Sequence, residues 1–318
     1  MTAVRRLKIS PTMQKNLPEV VNRFLGYKQA QGLAPRSLMD YQHTFNKFMQ
    51  YTTSDELAVA PLQDALLLFF QRFKDQSPTS YNIPYKNLNC FFAWCIEQEY
   101  LSQNPLKRIG LKIKKDTPKV KHHDADTISK LIKAPGLGTL TGLRDYSLML
   151  LTLDCGIRPS EAFGLRIPDI DFVHKRVTIS AAISKTRVAR ELPLSAPVLQ
   201  TLEKLISVRL TQFEDYVFMG LDGNPLNRNS WNRRLALYCE KAGIEKVRPY
   251  DLRHCFAIMF IRNGGDPFAL QILMGHADLQ MTKLYVKLAN SDVVKQHTQS
   301  SPVKQFVKRS TRVTKLFR

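Results

Sequence analysis

A tyrosine near the carboxyl end of this 318-residue chain follows a histidine and an arginine at short distances. The pair Gly275-His276 precedes Tyr285, and the run Asp251-Leu252-Arg253-His254 lies about twenty residues upstream of that pair. A phenol held beside positively charged side chains can act as a nucleophile. In a chain with a net charge of +20, the electrophile that fits best is a phosphate of nucleic acid.

The composition favours a polyanionic partner and argues against membrane and secreted classes. Lysine and arginine number 47 against 27 acidic residues, and the isoelectric point is near 9.8. A merely basic protein, or one that binds an anionic membrane surface, is the alternative. No run approaches 18 apolar residues, and the first ten residues contain no apolar signal segment. The five cysteines lack a C-x-x-C pair, so we expect reduced thiols in a cytoplasmic protein.

The first third of the chain is predicted to be helical. Apolar residues recur at helical spacing in four stretches between residues 16 and 104, with Gly32, Pro35 and Pro61 as boundaries. The fourth stretch is expected from about Tyr85 to Tyr100. Four short helices of this kind form a compact bundle.

A basic segment follows the predicted bundle. One acidic residue, Asp116, stands among seven basic ones: Lys107, Arg108, Lys112, Lys114, Lys115, Lys119 and Lys121. Such a segment is either a solvated tether or a contact along a phosphate backbone. Its charge alone does not decide between the two.

The rest of the chain is predicted to be mostly helical with one small sheet. Pro159 stands where the first residue of a helix is expected. Two strand-like runs, residues 177–179 and 191–194, flank a polar, basic turn. The pattern returns to helices after Ser195, and the tail beyond residue 300 is basic without an acidic residue.

Four short motifs carry the chemistry. They are Gly156-Ile-Arg158-Pro-Ser-Glu161, Ser184-Lys185-Thr186, Asp251-Leu-Arg253-His254, and Gly275-His276 followed by Tyr285. Each is common by itself, but their order, with the lysine in a predicted hairpin, is specific. In these motifs the chain resembles the tyrosine recombinases of the phage-integrase type, and the resemblance spans nearly its whole length.

The resemblance implies a mainly α-helical protein. We expect an N-terminal helical bundle, similar to the family's SAM-like core-binding domain, and a mostly helical α+β catalytic domain with a small antiparallel sheet. The expected segments are an N-terminal extension (1–14), a DNA-binding core-binding domain (15–106), a basic linker (107–123), a catalytic domain (124–290), and a C-terminal helix and basic tail (291–318). In the family, the two domains close as a clamp around duplex DNA.

The resemblance also implies roles for individual residues. Tyr285 would attack phosphorus and leave a 3′-phosphotyrosyl link with a free 5′-hydroxyl, so rejoining needs no ATP. Arg158 and Arg253 match the family's arginine pair, whose guanidinium groups stabilise the extra negative charge of the pentavalent transition state. Glu161 is expected to orient Arg158.

Two further residues complete the expected site. Lys185 matches the hairpin lysine, whose inferred role is general acid to the 5′-oxygen. Arg187 and Arg190 compete for that role, but we expect them to contact backbone phosphates. His276 matches the family's second His/Trp position, which hydrogen-bonds the scissile phosphate.

One position departs from the family pattern. The usual His-x-x-Arg is replaced by Tyr250-Asp-Leu-Arg253. A phenol donates a hydrogen bond but is a poorer base near neutral pH than an imidazole. We therefore interpret Tyr250 as the positional equivalent of the family's first histidine and leave open whether it transfers a proton. His254 follows Arg253 directly, so we expect it to point elsewhere on the helix.

The implied function is site-specific recombination of double-stranded DNA without a cofactor or metal. Four protomers would form a homotetramer on two DNA sites, with a monomer in solution as one option, and the segment from 291 to 297, with Pro302, would pack on a neighbour. The biological task would be integration and excision of a mobile element, or resolution of replicon dimers. Two alternatives stay open: a type IB topoisomerase-like enzyme and a catalytically impaired DNA-binding regulator.

His122-His123 lacks further ligands at metal spacing and is expected in a solvated linker.

Overall fold

The computed structural model describes residues 16–116, 120–208, 215–289, 297–298 and 301–306. The chain divides into two compact units, Met1–Pro118 and Lys119–Arg318. The described part is mainly α-helical with one small antiparallel sheet, as the sequence predicted. The expected N-terminal extension, and residues 291–296 of the segment expected to pack on a neighbour, lie outside the described residues.

Helices make up the N-terminal unit within residues 16–116. They are α1 (Leu17–Ala30), α2 (Pro35–Phe48), α3 (Val59–Gln71), α4 (Pro78–Glu97) and the short α5 (Pro105–Arg108), with a 3₁₀ turn at Met49–Tyr51. The helix α4 starts at Pro78 rather than near Tyr85. Ser77 caps it by accepting a hydrogen bond from the Ser80 amide at 3.2 Å, and Pro84 is tolerated inside it.

The core of the N-terminal unit is built from aromatic rings. Phe24 is fully buried and meets four rings edge-on at centroid distances of 5.4 to 5.9 Å: Tyr41, Phe45, Phe91 and Trp94. Edge-to-face pairs of this kind add about 0.5–1.5 kcal/mol beyond the area that they bury. This ring cluster joins α1, α2 and α4.

The basic segment after α5 is anchored to the N-terminal unit as far as residue 116. The Asn82 side chain pairs with both the amide and the carbonyl of Lys114 at 2.9 Å. The Lys114 ammonium donates to the Phe73 carbonyl at 3.0 Å and lies 4.7 Å from the ring of Tyr81. These contacts direct the backbone of the segment, while Lys112 and Lys115 remain exposed.

The segment that enters the second unit is also packed. His123, which we expected in a solvated linker, is buried, and its amide donates to the Cys255 sulfur at 3.4 Å. Its Nε2 lies 3.6 Å from an Asp251 carboxylate oxygen. The linker expectation for His123 is therefore wrong, because the residue is buried against Asp251 and Cys255 of a later helix.

The second unit is mostly helical. The helices among its described residues are α6 (Ala125–Lys133), α7 (Leu140–Cys155), α8 (Pro159–Phe163), α9 (Ala196–Ser207), α10 (Arg228–Ala242), α11 (Pro249–Arg262), α12 (Pro267–Met274), α13 (Leu279–Leu288) and α14 (Val303–Phe306). A 3₁₀ turn, Ile167–Asp169, follows α8. Among the described residues, no helix is long and apolar enough to cross a membrane.

A three-stranded sheet lies between α8 and α9. Its strands are β1 (Ile170–Asp171), β2 (Arg176–Ile179) and β3 (Arg190–Pro193), in the order β1-β2-β3 and antiparallel throughout. The predicted hairpin corresponds to β2 and β3, with Val177 opposite Leu192, both buried. The short strand β1 was not predicted, because two residues carry no readable alternation.

Candidate active site

A left-handed glycine at the end of α7 turns the chain into the site. Gly156 has a φ of 64°, and a Cβ at this position would lie 2.3 Å from the ring of Phe256. Glycine alone fits both the backbone angle and the contact. The turn places Arg158 at the N-cap of α8, where its amide donates to Glu161 Oε2 at 3.1 Å.

The Arg158 guanidinium is held at two points, and the side chain is 9% exposed. Its Nη1 donates to Glu161 Oε1 at 2.8 Å, and its Nη2 donates to the carbonyl of Gly275 at 2.7 Å. Glu161 is completely buried, so this ion pair is little screened by solvent. The expectation that Glu161 orients Arg158 agrees with this geometry.

A second arginine shares the same carboxylate. Arg190, at the start of β3, donates from Nη2 to Glu161 Oε2 at 2.6 Å and from Nε to the Leu273 carbonyl at 3.2 Å. Burial by itself would raise the pKa of Glu161, but the pairs with Arg190 and Arg158 hold that pKa below its usual value. The expectation that Arg190 contacts backbone phosphates is wrong, because its guanidinium is used inside the protein.

Arg253 links α11 to the turns that end α7 and α12. Its Nη1 donates to the Gly156 carbonyl, and its Nη2 donates to the Met274 carbonyl at 2.6 Å. The side chain is 3% exposed. Burial, and then the charge of Arg158, lower the pKa of Arg253 to about 10, which leaves it protonated at neutral pH. The two arginines therefore form one fixed positive centre.

His276 lies directly after the left-handed cap of α12, Gly275, whose φ is 59°. Its Nδ1 lies 3.0 Å from Thr282 Oγ1, and its Nε2 lies 3.4 Å from Arg253 Nη2. Burial, and then the charges of Arg253 and Arg158, lower the pKa of His276 to about 4. The imidazole is therefore neutral at pH 7 and favours the tautomer with hydrogen on Nδ1, because a guanidinium donor faces Nε2.

Tyr285 lies on α13 between two histidine rings and is 2% exposed. The His276 ring stacks on it at a centroid distance of 6.0 Å, and its hydroxyl lies 2.8 Å from His254 Nδ1. Burial raises the pKa of Tyr285, while the charges of Arg253 and Arg158 act in the opposite direction. The phenol is protonated at rest, beside charges that favour its anion.

The expectation that His254 points away from the site is wrong. That expectation considered its adjacency to Arg253. The informative spacing is to Tyr250, one helical turn earlier, because residues four apart share a helix face. The rings of Tyr250 and His254 lie 6.5 Å apart. Sequence reasoning therefore missed His254 and Arg190, and the helical spacing was the one available signal for His254.

Two predicted residues lie apart from this cluster. Tyr250 is in the first turn of α11 and is 42% exposed, and Lys185 is exposed in the loop between β2 and β3. Within the described part of the chain, no hydrogen bond or ion pair joins either one to Arg158, Arg253 or Tyr285. The structure thus brings the two arginines, His276 and Tyr285 together, but neither Tyr250 nor Lys185.

The chain is similar to known proteins both in sequence and in fold. Residues 121–292, more than half of the chain, match the model of the phage integrase family. The tyrosine recombinase XerD of Lacticaseibacillus casei is 26% identical over 281 residues, which cover 85% of this chain and 94% of that protein.

Two solved structures share the fold at low sequence identity. The Tn1549 transposon integrase in complex with a circular intermediate DNA has a TM-score of 0.70 at 17% identity, covering 88% of this chain and 98% of that chain. A lambda integrase tetramer bound to a Holliday junction has a TM-score of 0.67 at 18% identity, covering 83% and 78%. Because the family match contains every element that builds the site, the chain belongs to the phage integrase family, the tyrosine recombinases that break and rejoin DNA.

Proposed function

We propose that the protein is a site-specific DNA recombinase in which Tyr285 is the nucleophile. One observation carries this proposal: a buried, protonated phenol lies in one cluster with two arginines whose positions are fixed by backbone carbonyls. A hydroxyl protected from water and influenced by the charges of two arginines fits attack on an anionic phosphodiester.

In the proposed cleavage step, the Tyr285 oxygen forms a bond to phosphorus and gives its proton to a neighbouring base. The bond from phosphorus to the 5′-oxygen breaks, and that oxygen takes a proton from a general acid to become a hydroxyl. Arg158 and Arg253 bind the non-bridging oxygens, where negative charge develops. The neutral His276 would donate to the same phosphate from Nε2, which requires that DNA binding shift its hydrogen from Nδ1 to Nε2 while Thr282 Oγ1 donates to Nδ1. The 3′-phosphotyrosyl link retains the energy of the diester, so the reverse attack by a 5′-hydroxyl rejoins DNA.

We assign the proton for the leaving 5′-oxygen to Lys185. An ammonium on a flexible side chain in an exposed loop can reach a bound DNA strand from outside the buried cluster. We keep Tyr250 in the proposed site only as a residue at its rim, since it is 42% exposed.

We further propose that both units bind duplex DNA. Residues 15–106 would be the core-binding domain, residues 124–290 the catalytic domain, and the exposed lysines of residues 107–123 would lie near the phosphate backbone. The lambda integrase tetramer bound to a Holliday junction supports a homotetramer as the active assembly, with two DNA sites and exchange through a four-way junction.

The test begins with DNA that the protein selects. Tyr285→Phe protein would be used to recover bound fragments from a random duplex library, and those fragments would be rebuilt as duplexes with a nick beside the cleavage site. Wild type is expected to trap a covalent protein–DNA complex, and Tyr285→Phe is expected to trap none while binding the duplex equally well.

A two-site assay then separates recombination from simple relaxation. A plasmid with two selected sites should yield deletion or inversion products. Relaxed plasmid without such products would indicate a topoisomerase-like enzyme, and no covalent complex at all would leave only a DNA-binding role.

A further inference from the structure

The position where the family has its first histidine lacks an imidazole in this chain. Tyr250 is there instead, exposed and, within the described residues, without a hydrogen bond to the cluster. Yet the proposed cleavage needs a group that receives the phenolic proton of Tyr285, because a neutral phenol is a weak nucleophile.

The His254 side chain lies within hydrogen-bond distance of the hydroxyl that carries this proton. Its Nδ1 lies 2.8 Å from the Tyr285 hydroxyl, within the range for proton transfer to a general base. The two rings lie 5.7 Å apart at 40°. His254 follows Tyr250 by one turn of α11, so the helix presents an imidazole on the same face, one turn further along.

The surroundings keep His254 in the form that accepts a proton. Burial lowers its pKa, Asp251 acts in the opposite direction, and Arg253 lowers it further. The other titratable rings that face it are those of Tyr250 and Tyr285, and His276 interacts with it through charge. At neutral pH the imidazole is uncharged, so with hydrogen on Nε2 its Nδ1 accepts from the phenol.

We propose that His254 is the general base that takes the phenolic proton of Tyr285 during cleavage and returns it during rejoining, in place of the group at position 250. In the forward step the proton moves to Nδ1 as the phenolic oxygen bonds to phosphorus. In the reverse step the departing phenolate recovers it. This inference rests on the proposed function of Tyr285.

A different role for the same hydrogen bond gives a different result. If His254 only positions the phenol, an amide in its place would preserve the rate. If it holds the phenol in an inactive position, its removal would accelerate cleavage. His254→Asn separates these cases, because the amide can hydrogen-bond near the position of Nδ1 but cannot take up a proton.

The experiment measures single-turnover covalent trapping on the selected nicked duplex between pH 5.5 and 9.5. Wild type should rise with pH to a plateau as His254 loses its proton. His254→Asn should be slower at neutral pH by about 10²- to 10⁴-fold, the usual contribution of general acid–base catalysis. Its rate should continue to rise at alkaline pH, where the phenol ionises without help.

A chemical rescue protects the test against misfolding. His254→Ala should regain activity with added imidazole, in proportion to the uncharged fraction of that imidazole. His174→Ala, which removes an exposed histidine outside the site, should match wild type and show no response. Equal DNA affinity of all variants establishes that the proteins are folded.

Specific results would overturn the inference. If His254→Asn cleaves at the wild-type rate across the pH range, His254 is not the base. A His254→Asn rate above that of wild type would exclude a base role as well. Loss of the plateau in Tyr250→Phe, but not in His254→Asn, would assign the base to Tyr250. All these outcomes require that wild type traps the covalent complex. Failure of that first step would refute the proposed function instead.

Discussion

The two units of the chain bury different kinds of side chain. Among residues 16–116 of the N-terminal unit, the buried polar residues are uncharged: Thr44, Asn82 and Asn104. In the second unit they include charged ones: Arg144, Asp145, Arg158, Glu161, Asp251 and Arg253. Burying a charge costs free energy unless the charge is paired. Apolar packing therefore does not explain the buried charges of the second unit.

Two clusters of buried charge lie in the second unit, Lys119–Arg318, which is the catalytic unit of the proposed function. Asp145 accepts hydrogen bonds from Arg144, Arg234 and Tyr238 in a cluster whose outer arginine is one-third exposed. In the active site, by contrast, Glu161 is shared by Arg158 and Arg190, and Arg253 is satisfied by carbonyls. The active site thus holds three arginines against one carboxylate, whereas the Asp145 cluster holds two against one. Arg253, whose partners are carbonyls, leaves the larger excess of positive charge in the active site, which suits a phosphate.

The largest expected effect concerns the one proposed catalytic residue that is exposed. We expect Lys185→Ala to slow cleavage by about 10²- to 10⁴-fold, because the 5′-alkoxide would leave without a proton. A duplex with sulfur in place of the bridging 5′-oxygen should restore the rate, since a thiolate leaves without an acid. Trapping kinetics on both duplexes measure this.

The control for the lysine is another exposed lysine of the same unit. Lys204→Ala should cleave both duplexes at the wild-type rate. If sulfur does not rescue Lys185→Ala, the lysine acts in binding rather than as an acid, and the site would be confined to the buried cluster.

The next prediction compares the two cores directly. Glu161→Gln should lower the free energy of unfolding of the catalytic unit by about 3–5 kcal/mol, because two buried arginines lose their shared carboxylate. Phe24→Ala should cost the N-terminal unit a similar amount, about 3–5 kcal/mol, through a cavity. Urea unfolding followed by tryptophan fluorescence measures both changes.

The two tryptophans make this measurement specific to each unit. Trp94 lies in the N-terminal core and Trp231 in the catalytic core. Background variants Trp231→Phe and Trp94→Phe leave one reporter each. The contrast between the units fails if Glu161→Gln unfolds at the same urea concentration as its parent.

Arg253→Lys should have a somewhat smaller effect, about 10²- to 10³-fold on the cleavage rate, with DNA affinity little changed. An ammonium cannot bridge the carbonyls of Gly156 and Met274 and still face a phosphate. Arg36→Lys, an exposed ion-paired arginine of α2, is the matched change in the other unit and should leave the rate intact. Equal losses in both variants would mean that the effect is non-specific charge.

The smallest effect is a pH dependence of stability. The pKa of His276 is about 4 in the folded protein, below the ordinary value near 6.5 of the unfolded chain. Between these values the unfolded state binds more protons, so the stability of the catalytic unit should fall as pH decreases from about 6.5 to 4. His254, whose pKa is also lowered, acts in the same direction.

Fluorescence of Trp231 during urea unfolding at pH 7 and pH 5 checks this dependence. In His276→Asn the difference between the two pH values should shrink. An unchanged difference would show that other groups control the acid sensitivity of this unit.

Much of the architecture was predictable because it depends on local pattern. The four helices of the bundle follow from apolar residues at helical spacing, and the hairpin of β2 and β3 follows from alternation around a polar turn. The predicted start of α4, near Tyr85, was too late because it followed the apolar residues. The N-cap Ser77 and Pro78 at the first helical position begin the helix seven residues earlier.

The sequence by itself determined the types and the order of the chemical groups: two arginines, a histidine and a tyrosine in motifs specific enough to identify the family. Only the tertiary structure decided which groups touch. It placed Arg190 on Glu161 and His254 on Tyr285, and it buried His123 under α11. These contacts join residues far apart in the chain, so their formation depends on how helices and strands pack rather than on any local spacing.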